Sequence, residues 1–557
     1  MFNPLTNEKV RELKELIIIP FKSLPDLDKV WKKQGDREYE KIFLSEIKIG
    51  DYVVHIDNGI GKFIGFETRL SNGQKTENLI VEYARGDRMF VPVNQIERLT
   101  KYIGGSAKKP ALSSLGTASW ERIKQRVKDS VIEVAKELLE VYARREFVKR
   151  KPYQHDSAWQ KHLEDSFEYH ETSDQIQAIN EIKKDLEGTR PMDRLLVGDV
   201  GFGKTEVAIR GAFKVAASGF QVAVLVPTTI LAEQHYHLFK ERLEDFPLKV
   251  AHLSCFVEDV EQKKTINNLE NGSIDIIIGT HRILSKDIKF KNLGLLIVDE
   301  EHRFGVIQKE KLKKLRTELD VLSLSATPIP RTLHMSLTKI RDISLLATPP
   351  FGRLPIETKV EEYNLEEVKT AIEKELARSG QVFYLSNRVA TIQAKTKQIQ
   401  GLIPSARVAY AHGQLHENKI EKVMDLFFDG KIDVLVCTSI IGSGLDIPNV
   451  NTIIVENSHK FGLADLYQLR GRVGRGAREA FAYLFYPKNY KPEGAAAMRL
   501  LAISQAKELG SGFKIANQDL EIRGAGNLLG SAQSGNISLV GFELYVQLLT
   551  QAVEQLK

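Results

Sequence analysis

The chain has 557 residues, 27% of them charged and 42% hydrophobic, with a formal net charge of +6 at pH 7. At roughly 100 to 200 residues per domain, that length implies about three to five domains, and the composition excludes a disordered chain. The small basic excess permits a polyanionic partner without requiring one, and no stretch approaches ~18 consecutive apolar residues, which excludes a helical membrane span and makes the cytoplasm the expected location.

Residues 1–45 are charged and helical in pattern, are broken by Pro20 and Pro25, and hold one short apolar run, IIIP, with no signal-peptide cleavage pattern; they read as an N-terminal linker. From residue 46 to 105, short alternating segments (KIGDYVVHI, GKFIGFET, NLIVEYA, MFVPV) are separated by NG and RGD turns, the pattern of a small antiparallel β-barrel. Within residues 106–155, apolar side chains recur at Ile123, Val127, Val131, Ala135, Leu138 and Tyr142, which predicts one long amphipathic helix over 118–149 connecting the barrel to the next domain.

Residues 156–348 and 349–510 alternate buried-type strands (RLLVGD, VAVLVP, IDIIIGT, LLIVDE, VLSLSAT, then QVFYLS, VLVCTS, TIIVEN) with helical stretches. This texture predicts two tandem α/β domains with parallel sheets covered on both faces, joined at the Pro/Gly-rich Thr348–Gly352. Residues 511–557 read as a packed helical pair around a glycine-rich turn. The two cysteines, Cys255 and Cys437, stand alone, so neither a disulfide framework nor a zinc site is expected.

The strongest chemical signal is Gly198-Asp199-Val200-Gly201-Phe202-Gly203-Lys204-Thr205, which follows a strand and opens a helix. Glycines let backbone N–H groups close around phosphate oxygens at a helix's positive end; Lys204 would reach the phosphates of ATP, and the Thr205 hydroxyl would hold Mg²⁺. Asp299 and Glu300 end the strand LGLLIVDE, at the edge of a parallel sheet that faces a bound ligand. Asp299 is the candidate Mg²⁺ partner and Glu300 the candidate base for the attacking water. In the second α/β domain, QLRGRVGR places Arg472 and Arg475 as candidate arginine fingers.

Taken in order, GDVGFGKT, VPTTILAEQH, GTHR, DEEH, SAT, AHGQ, CTSIIGSGLDIP and QLRGRVGR resemble the motifs of superfamily 2 helicases, which use two RecA-like domains. That resemblance implies an adenine-reading role for Phe167, Thr172 and Gln175, and places Gly444 and Asp446 at the nucleotide. It implies a DNA groove formed by Thr228, Thr229, Thr280, His281, Arg282, His412 and Gln414, with Ser325 to Thr327 coupling the ATP state to the cleft. DEEHRFGV and the tail SGFKIANQDLEIRGAGNLLGSAQSG narrow the resemblance to transcription-repair coupling factors and RecG, both of which push on duplex DNA. In those families the tail is a helical hairpin that relays motor closure into translocation, and Arg523 and Gln533 match its key polar residues.

The segment KIGDYVVHIDNGIGKFIGFETRL is similar to the RNA-polymerase-interacting module (Tudor/CarD-like) of the coupling factors, whereas RecG carries a large oligonucleotide-binding wedge. The implied partners are double-stranded DNA, bound without regard to sequence, and the RNA polymerase β subunit, docked on a strand edge with Ile64 and Leu70 giving selectivity or, alternatively, filling the barrel core. The sequence departs from the family where Gly442 stands in place of a usual Glu. The UvrB-like N-terminal module and the C-terminal regulatory domain are not found, so UvrA binding is not expected of this stretch. The expected function is ATP-dependent duplex translocation that pushes stalled polymerase, with RecG-like branch migration, a strand-separating helicase and a binding protein without turnover as alternatives. The intact Lys204, Thr205, Asp299, Glu300, Arg472 and Arg475 argue against the last.

Overall fold

The structure is a computed structural model, and it describes residues 44, 47–71, 74–104, 109–254, 259–316, 318–326, 341–438, 444–474, 476, 478–524 and 534–556. The expected linker before Leu44, together with Cys255, Thr327, Gly442, Arg475 and Gln533, lies outside them. Two units are distinguished: residues 1–102, 108–125 and 538–544 form one, and residues 103–107, 126–537 and 545–557 form the other.

In the first unit, the alternating segments become five antiparallel strands: β1 (Tyr52–His55), β2 (Gly59–Ser71), β3 (Gln74–Glu82), β4 (Arg88–Pro92) and β5 (Leu99–Lys101), in the order β4-β3-β2-β1-β5. Every second side chain turns inward, so Val53, Phe63, Leu79, Val81, Val91 and Leu99 form a small core with Tyr83 and Ile96. Laid flat, the sheet would separate β4 from β5 by about 19 Å, at ~4.8 Å per strand. Two short 3-10 turns, Val93–Arg98, joined at a kink at Gln95, span that gap, and at ~2 Å of rise per residue they cover at most about 12 Å, so the sheet is curled. No β4–β5 pairing closes it among the described residues.

The long strand β2 is paired on both sides only at its start. Its residues 59–62 face β1 and residues 62–71 face β3. The register slips between Phe63 and Gly65, leaving Ile64 as a bulge. From Gly65 to Ser71 the side of β2 opposite β3 has no strand partner among the described residues.

The predicted long helix runs over Ser119–Phe147, with Val127, Val131 and Ala135 fully buried as its spacing requires. The side chains of Leu138 and Tyr142 lie outside the described ones.

The second unit holds two parallel sheets. One contains β6 (Asp193–Gly198), β7 (Gln221–Leu225), β8 (Val250–Leu253), β9 (Ile276–Gly279), β10 (Leu293–Asp299), β11 (Asp320–Ser325) and β12 (Asp342–Leu346), in the order β12-β6-β11-β10-β7-β9-β8. The other contains β13 (Ile356–Glu362), β14 (Gln381–Leu385), β15 (Val408–Ala411), β16 (Val434–Cys437), β17 (Val450–Val455) and β18 (Ala480–Tyr486), in the order β13-β18-β17-β14-β16-β15. Both faces of each are covered, which is why strands such as IIIG and VLVC are apolar without alternation. β12 pairs with β6, so the first of these domains extends to Leu346 and the Pro/Gly joint follows directly.

Asp320 at the start of β11 is fully buried and gathers Arg150 at 2.8 Å, the Tyr153 hydroxyl at 2.9 Å and the Met192 N–H at 2.5 Å. The segment after the long helix is thereby bolted to the first parallel sheet.

At the C-terminus, helices cover Gly494–Gln505, Gly512–Arg523, Ser534–Val540 and Phe542–Leu556. Ile515 joins the core of the second sheet. The turn of the expected hairpin, residues 525–533, lies outside the described residues. Among the described residues, no helix is long and apolar enough to cross a membrane.

Candidate functional site

The expected ATP-site residues sit where the first sheet's central strands end. β6 runs into the glycine loop, which turns through Gly201 (φ 77°) and Gly203 (φ 79°) and enters helix Lys204–Ala217. A side chain at Gly203 would overlap the Gln175 amide, so that left-handed position admits only glycine. Gln175 closes a capping box on helix Ser173–Leu186: its Oε1 accepts from the Thr172 N–H (2.8 Å), and the Thr172 hydroxyl accepts from the Gln175 N–H (3.3 Å). Its Nε2 donates to the Phe202 carbonyl at 2.9 Å, tying helix Ser173–Leu186 to the glycine loop. Phe167, half-buried, has the guanidinium carbons of Arg210 and Arg242 at 5.3 and 5.5 Å from its ring centre.

Lys204 Nζ donates to the carbonyls of Gly198 (2.6 Å) and Asp199 (2.9 Å). The residue keeps partial exposure, but its ammonium end is desolvated inside the loop. That burial pulls the Lys204 pKa down to about 8, against the opposing pull of Glu300, Asp299 and Asp199.

Asp299 is the last residue of β10, and its carboxylate lies 3.5 Å from His235 Nε2. Glu300 follows at φ 48°, a left-handed backbone that costs a non-glycine residue about 1–2 kcal/mol. Its N–H donates to the Leu324 carbonyl (3.0 Å) and its Oε1 accepts from the Ala326 N–H (3.2 Å). The other oxygen lies 3.2 Å from His302 Nδ1. Burial holds the His302 pKa down at about 4, so this imidazole is neutral near pH 7. Burial, then the adjacent Asp299 charge, raises the Glu300 pKa above the usual carboxylate range. A buried carboxyl with a raised pKa on a strained backbone is the environment expected of a general base.

Arg472, in the turn after helix Leu463–Arg470 of the second domain, is only 2% exposed. Its positive charge acts on both Glu300 and Lys204, favouring the carboxylate of the first and opposing the ammonium of the second. The cleft thus brings an arginine of one sheet to the phosphate loop and acidic pair of the other.

Several contacts across this cleft come from residues that the motifs did not single out. Arg353, just past the Pro/Gly joint, donates from Nη1 to the Val200 carbonyl (2.5 Å) and from Nε to the Gly474 carbonyl (3.2 Å). The Tyr467 hydroxyl donates to Asp199 Oδ2. Arg303 donates to Gln468 Oε1 at 3.2 Å. Gln234 brackets Asp446 by donating to its carbonyl (2.7 Å) and accepting from its N–H (3.0 Å), and Gly444 abuts Leu231. Gly444 and Asp446 therefore meet the helix Thr229–Arg242 of the first domain.

The residues expected at a DNA groove also stand at strand ends. Thr228 caps the helix after β7, accepting from the Leu231 N–H at 3.4 Å, and Thr229 begins that helix. After β9, Thr280 is buried and His281 is exposed, while Arg282 holds Asp287 through two hydrogen bonds of 2.8 and 2.6 Å. Ser325, buried, ends β11. After β15, buried His412 lies parallel to Tyr410 with ring centres 5.9 Å apart, its Nδ1 has no hydrogen-bond partner among the described residues, and Gln414 is exposed. Arg523, in the last turn of helix Gly512–Arg523, pairs with Asp519 at 2.6 Å.

Comparison with known proteins matches three family descriptions to this chain: a DEAD/DEAH box helicase domain over residues 172–336, a helicase conserved C-terminal domain over 364–477, and a CarD-like/TRCF RID domain over 47–103. The chain is 52% identical over 554 residues to the transcription-repair-coupling factor of Bacillus subtilis (strain 168), covering all of this chain and 47% of that protein. It is 50% identical over 511 residues to the protein of the same name from Staphylococcus aureus (strain USA300), covering 92% of this chain and 44% of that one. It spans about half the length of these relatives. Among solved structures it is similar to RecG bound to a three-way DNA junction, with a TM-score of 0.63 and 27% identity, covering 88% of this chain and 77% of that one. A Mycobacterium smegmatis helicase, Lhr, shares the fold at a TM-score of 0.50 and 19% identity, covering 63% of this chain and 50% of that one.

Proposed function

Because this chain belongs to the transcription-repair-coupling factor family and carries a superfamily 2 helicase-type ATPase, we propose that it is a motor that hydrolyses ATP to move along double-stranded DNA and push stalled RNA polymerase. The observation that carries the reading is the convergence of Lys204, Glu300 and Arg472 at one cleft between two parallel sheets. In this reading Lys204 leaves the carbonyls of Gly198 and Asp199 to take the phosphates, and Glu300 accepts the proton of the attacking water. Arg472 brings compensating charge from the second domain, so hydrolysis requires both domains to meet.

Among the described residues no three His, Cys, Asp or Glu side chains gather as a protein cage for a metal. A hydroxyl at Thr205 and a carboxylate at Asp299 are oxygen donors of the kind magnesium takes, and these two residues would hold it. When bound, it would neutralise phosphate charge.

The strand-end residues Thr228, Thr229, Thr280 to Arg282, His412 and Gln414 are proposed to line the DNA path, with Ser325 coupling the ATP state to the cleft and Arg523 and Gln533 belonging to the C-terminal relay. Contacts to the phosphodiester backbone from such groups position a duplex without reading its sequence. Residues 47–103 are proposed to dock on the polymerase β subunit through the open side of β2. Main-chain hydrogen bonds from residues 65–71 would extend a partner sheet, with bulged Ile64 and 46%-exposed Phe66 supplying side-chain contacts; the side chain of Leu70, expected from the sequence to add to them, lies outside the described ones. The site of action is the cytoplasm.

The test is displacement of a stalled elongation complex on linear DNA. Leu70→Arg is expected to abolish displacement while DNA-stimulated ATPase survives, because the charge would be buried unpaired at the interface. Displacement at the unmodified rate would refute the docking role. The likeness to RecG on a junction favours, as a second reading, branch migration; regression of a model fork by this chain without any effect on stalled polymerase would select it.

A further inference from the structure

Asp199, the second residue of the phosphate loop, is met from two directions by elements that carry no phosphate-binding group. The hydroxyl of Tyr467, a residue only 7% exposed on helix Leu463–Arg470, donates to Asp199 Oδ2. On its other side lies Gly512, the first residue of helix Gly512–Arg523, packed so tightly that any Cβ at that position would overlap Asp199 Oδ1. The backbone carbonyl of the same aspartate accepts from Lys204 Nζ at 2.9 Å. One residue therefore touches the phosphate-binding lysine through its backbone and two second-domain helices through its carboxylate.

The helix that begins at Gly512 is a stiff connector. Ile515 and Leu520 are buried, with Ile515 in the core of the second sheet, and Arg523 in the last turn is held to Asp519 at 2.6 Å. Twelve helical residues span about 18 Å, enough to carry a small displacement at Asp199 to the start of the C-terminal glycine-rich turn without bending. The approach at Gly512 is also where such a displacement would be transmitted, since a glycine leaves no side chain to absorb it.

We infer that Asp199 is a positioning residue that couples the phosphate loop to the helix Gly512–Arg523, with the Tyr467 hydroxyl holding its carboxylate against Gly512. When Lys204 shifts from the Asp199 carbonyl to a bound polyphosphate, the loop backbone at 199 is released, and its carboxylate moves the first turn of the helix with it. Burial and the Asp199 charge keep the Tyr467 phenol protonated, so the hydroxyl stays a donor throughout the cycle. The inference rests on the motor reading above but is tested without requiring movement on DNA.

Hydrogen–deuterium exchange of residues 512–523 is measured in the full chain with and without a non-hydrolysable ATP analogue and Mg²⁺. The expected result is an analogue-dependent change in amide exchange over this helix that Tyr467→Phe removes while the analogue's affinity stays within about twofold, and that Gly512→Ala removes by forcing Asp199 aside. An exchange change of the same size in Tyr467→Phe, or none in the unmodified chain, would overturn the inference. A variant that loses analogue affinity in parallel with the exchange response would assign Tyr467 to support of the loop and overturn it equally. In a triplex-displacement assay, Tyr467→Phe is expected to lower displacement per ATP hydrolysed by at least about fivefold, the low end of ordinary coupling free energies. Absence of displacement by the unmodified chain would count against the motor reading and leave the exchange result standing.

Discussion

In the proposed phosphate-binding role, the buried ammonium of Lys204 would make ATP binding a proton-linked event. With its pKa drawn down to about 8, the side chain is about nine-tenths charged at pH 7 and about one-tenth charged at pH 9. A polyphosphate prefers the charged form and raises the pKa of the bound state, so apparent affinity is full below about pH 8 and falls as pH rises through it. The loss between pH 7 and pH 9 is about tenfold, the ratio of the competent fractions. The nucleotide-free protein should respond in the opposite direction. The unfolded lysine titrates near 10.4, so between about pH 8 and 10.4 the unfolded chain binds more protons and the Lys204 contribution to stability rises with pH. Equilibrium titration with a non-hydrolysable ATP analogue at several pH values, combined with calorimetry in two buffers of different ionisation enthalpy, measures both the affinity and the proton uptake. Lys204→Arg is the control: arginine stays charged over this range, so its weaker binding should be flat with pH. A flat profile in the unmodified protein, or the same slope in Lys204→Arg, would rule out proton linkage through Lys204.

Glu300→Gln should retain analogue binding and lose turnover by about 10²-fold or more, since the amide keeps the shape but accepts no proton; near-normal steady-state ATPase would remove Glu300 from the role of base. Hydrolysis by the unmodified protein should also fall as pH drops through the raised Glu300 pKa, because the protonated carboxyl cannot act as base, and a pH–rate profile checks this limb. Asp320→Ala should destabilise the second unit by about 3–5 kcal/mol, read in a denaturant titration, because it removes the fully buried carboxylate that the Tyr153 hydroxyl and the Arg150 Nε share, while the other Arg150 donors keep their carbonyl partners. Duplex affinity should be indifferent to base sequence and should fall with salt at a log–log slope of about −0.9 per phosphate neutralised; affinities spread widely among random duplexes at one salt concentration would contradict backbone recognition.

Much of this architecture is legible in the sequence because its signals are local. GDVGFGKT announces its own strand, glycine turns and helix, and the continuous apolar strands can belong only to sheets buried on both faces. The spacing of Val127, Val131 and Ala135 gives the long helix to within two residues at either end. What escaped is set by distance in the chain. Arg353 looks like an ordinary charged residue after a Pro/Gly joint until β12 and β13 place it beside Val200 and Gly474, more than a hundred residues away on either side. Tyr467 sits one position before a recognisable motif and carries a side chain that packs as a core aromatic in any helix; only the meeting of the two sheets aims its hydroxyl at Asp199. The bulge at Ile64 was equally invisible, since a slipped register leaves the alternation of side chains readable on both sides of the slip.

Triplex displacement reads out the proposed motor, in which ATP turnover at this cleft drives movement along duplex DNA without strand separation. A third strand bound to a linear duplex is offered to the full chain with ATP, with the non-hydrolysable analogue, and to Glu300→Gln with ATP. Displacement is expected only with ATP and the unmodified chain, with the underlying duplex left intact. Displacement that proceeds with the analogue, or release of single strands from the duplex, would contradict it.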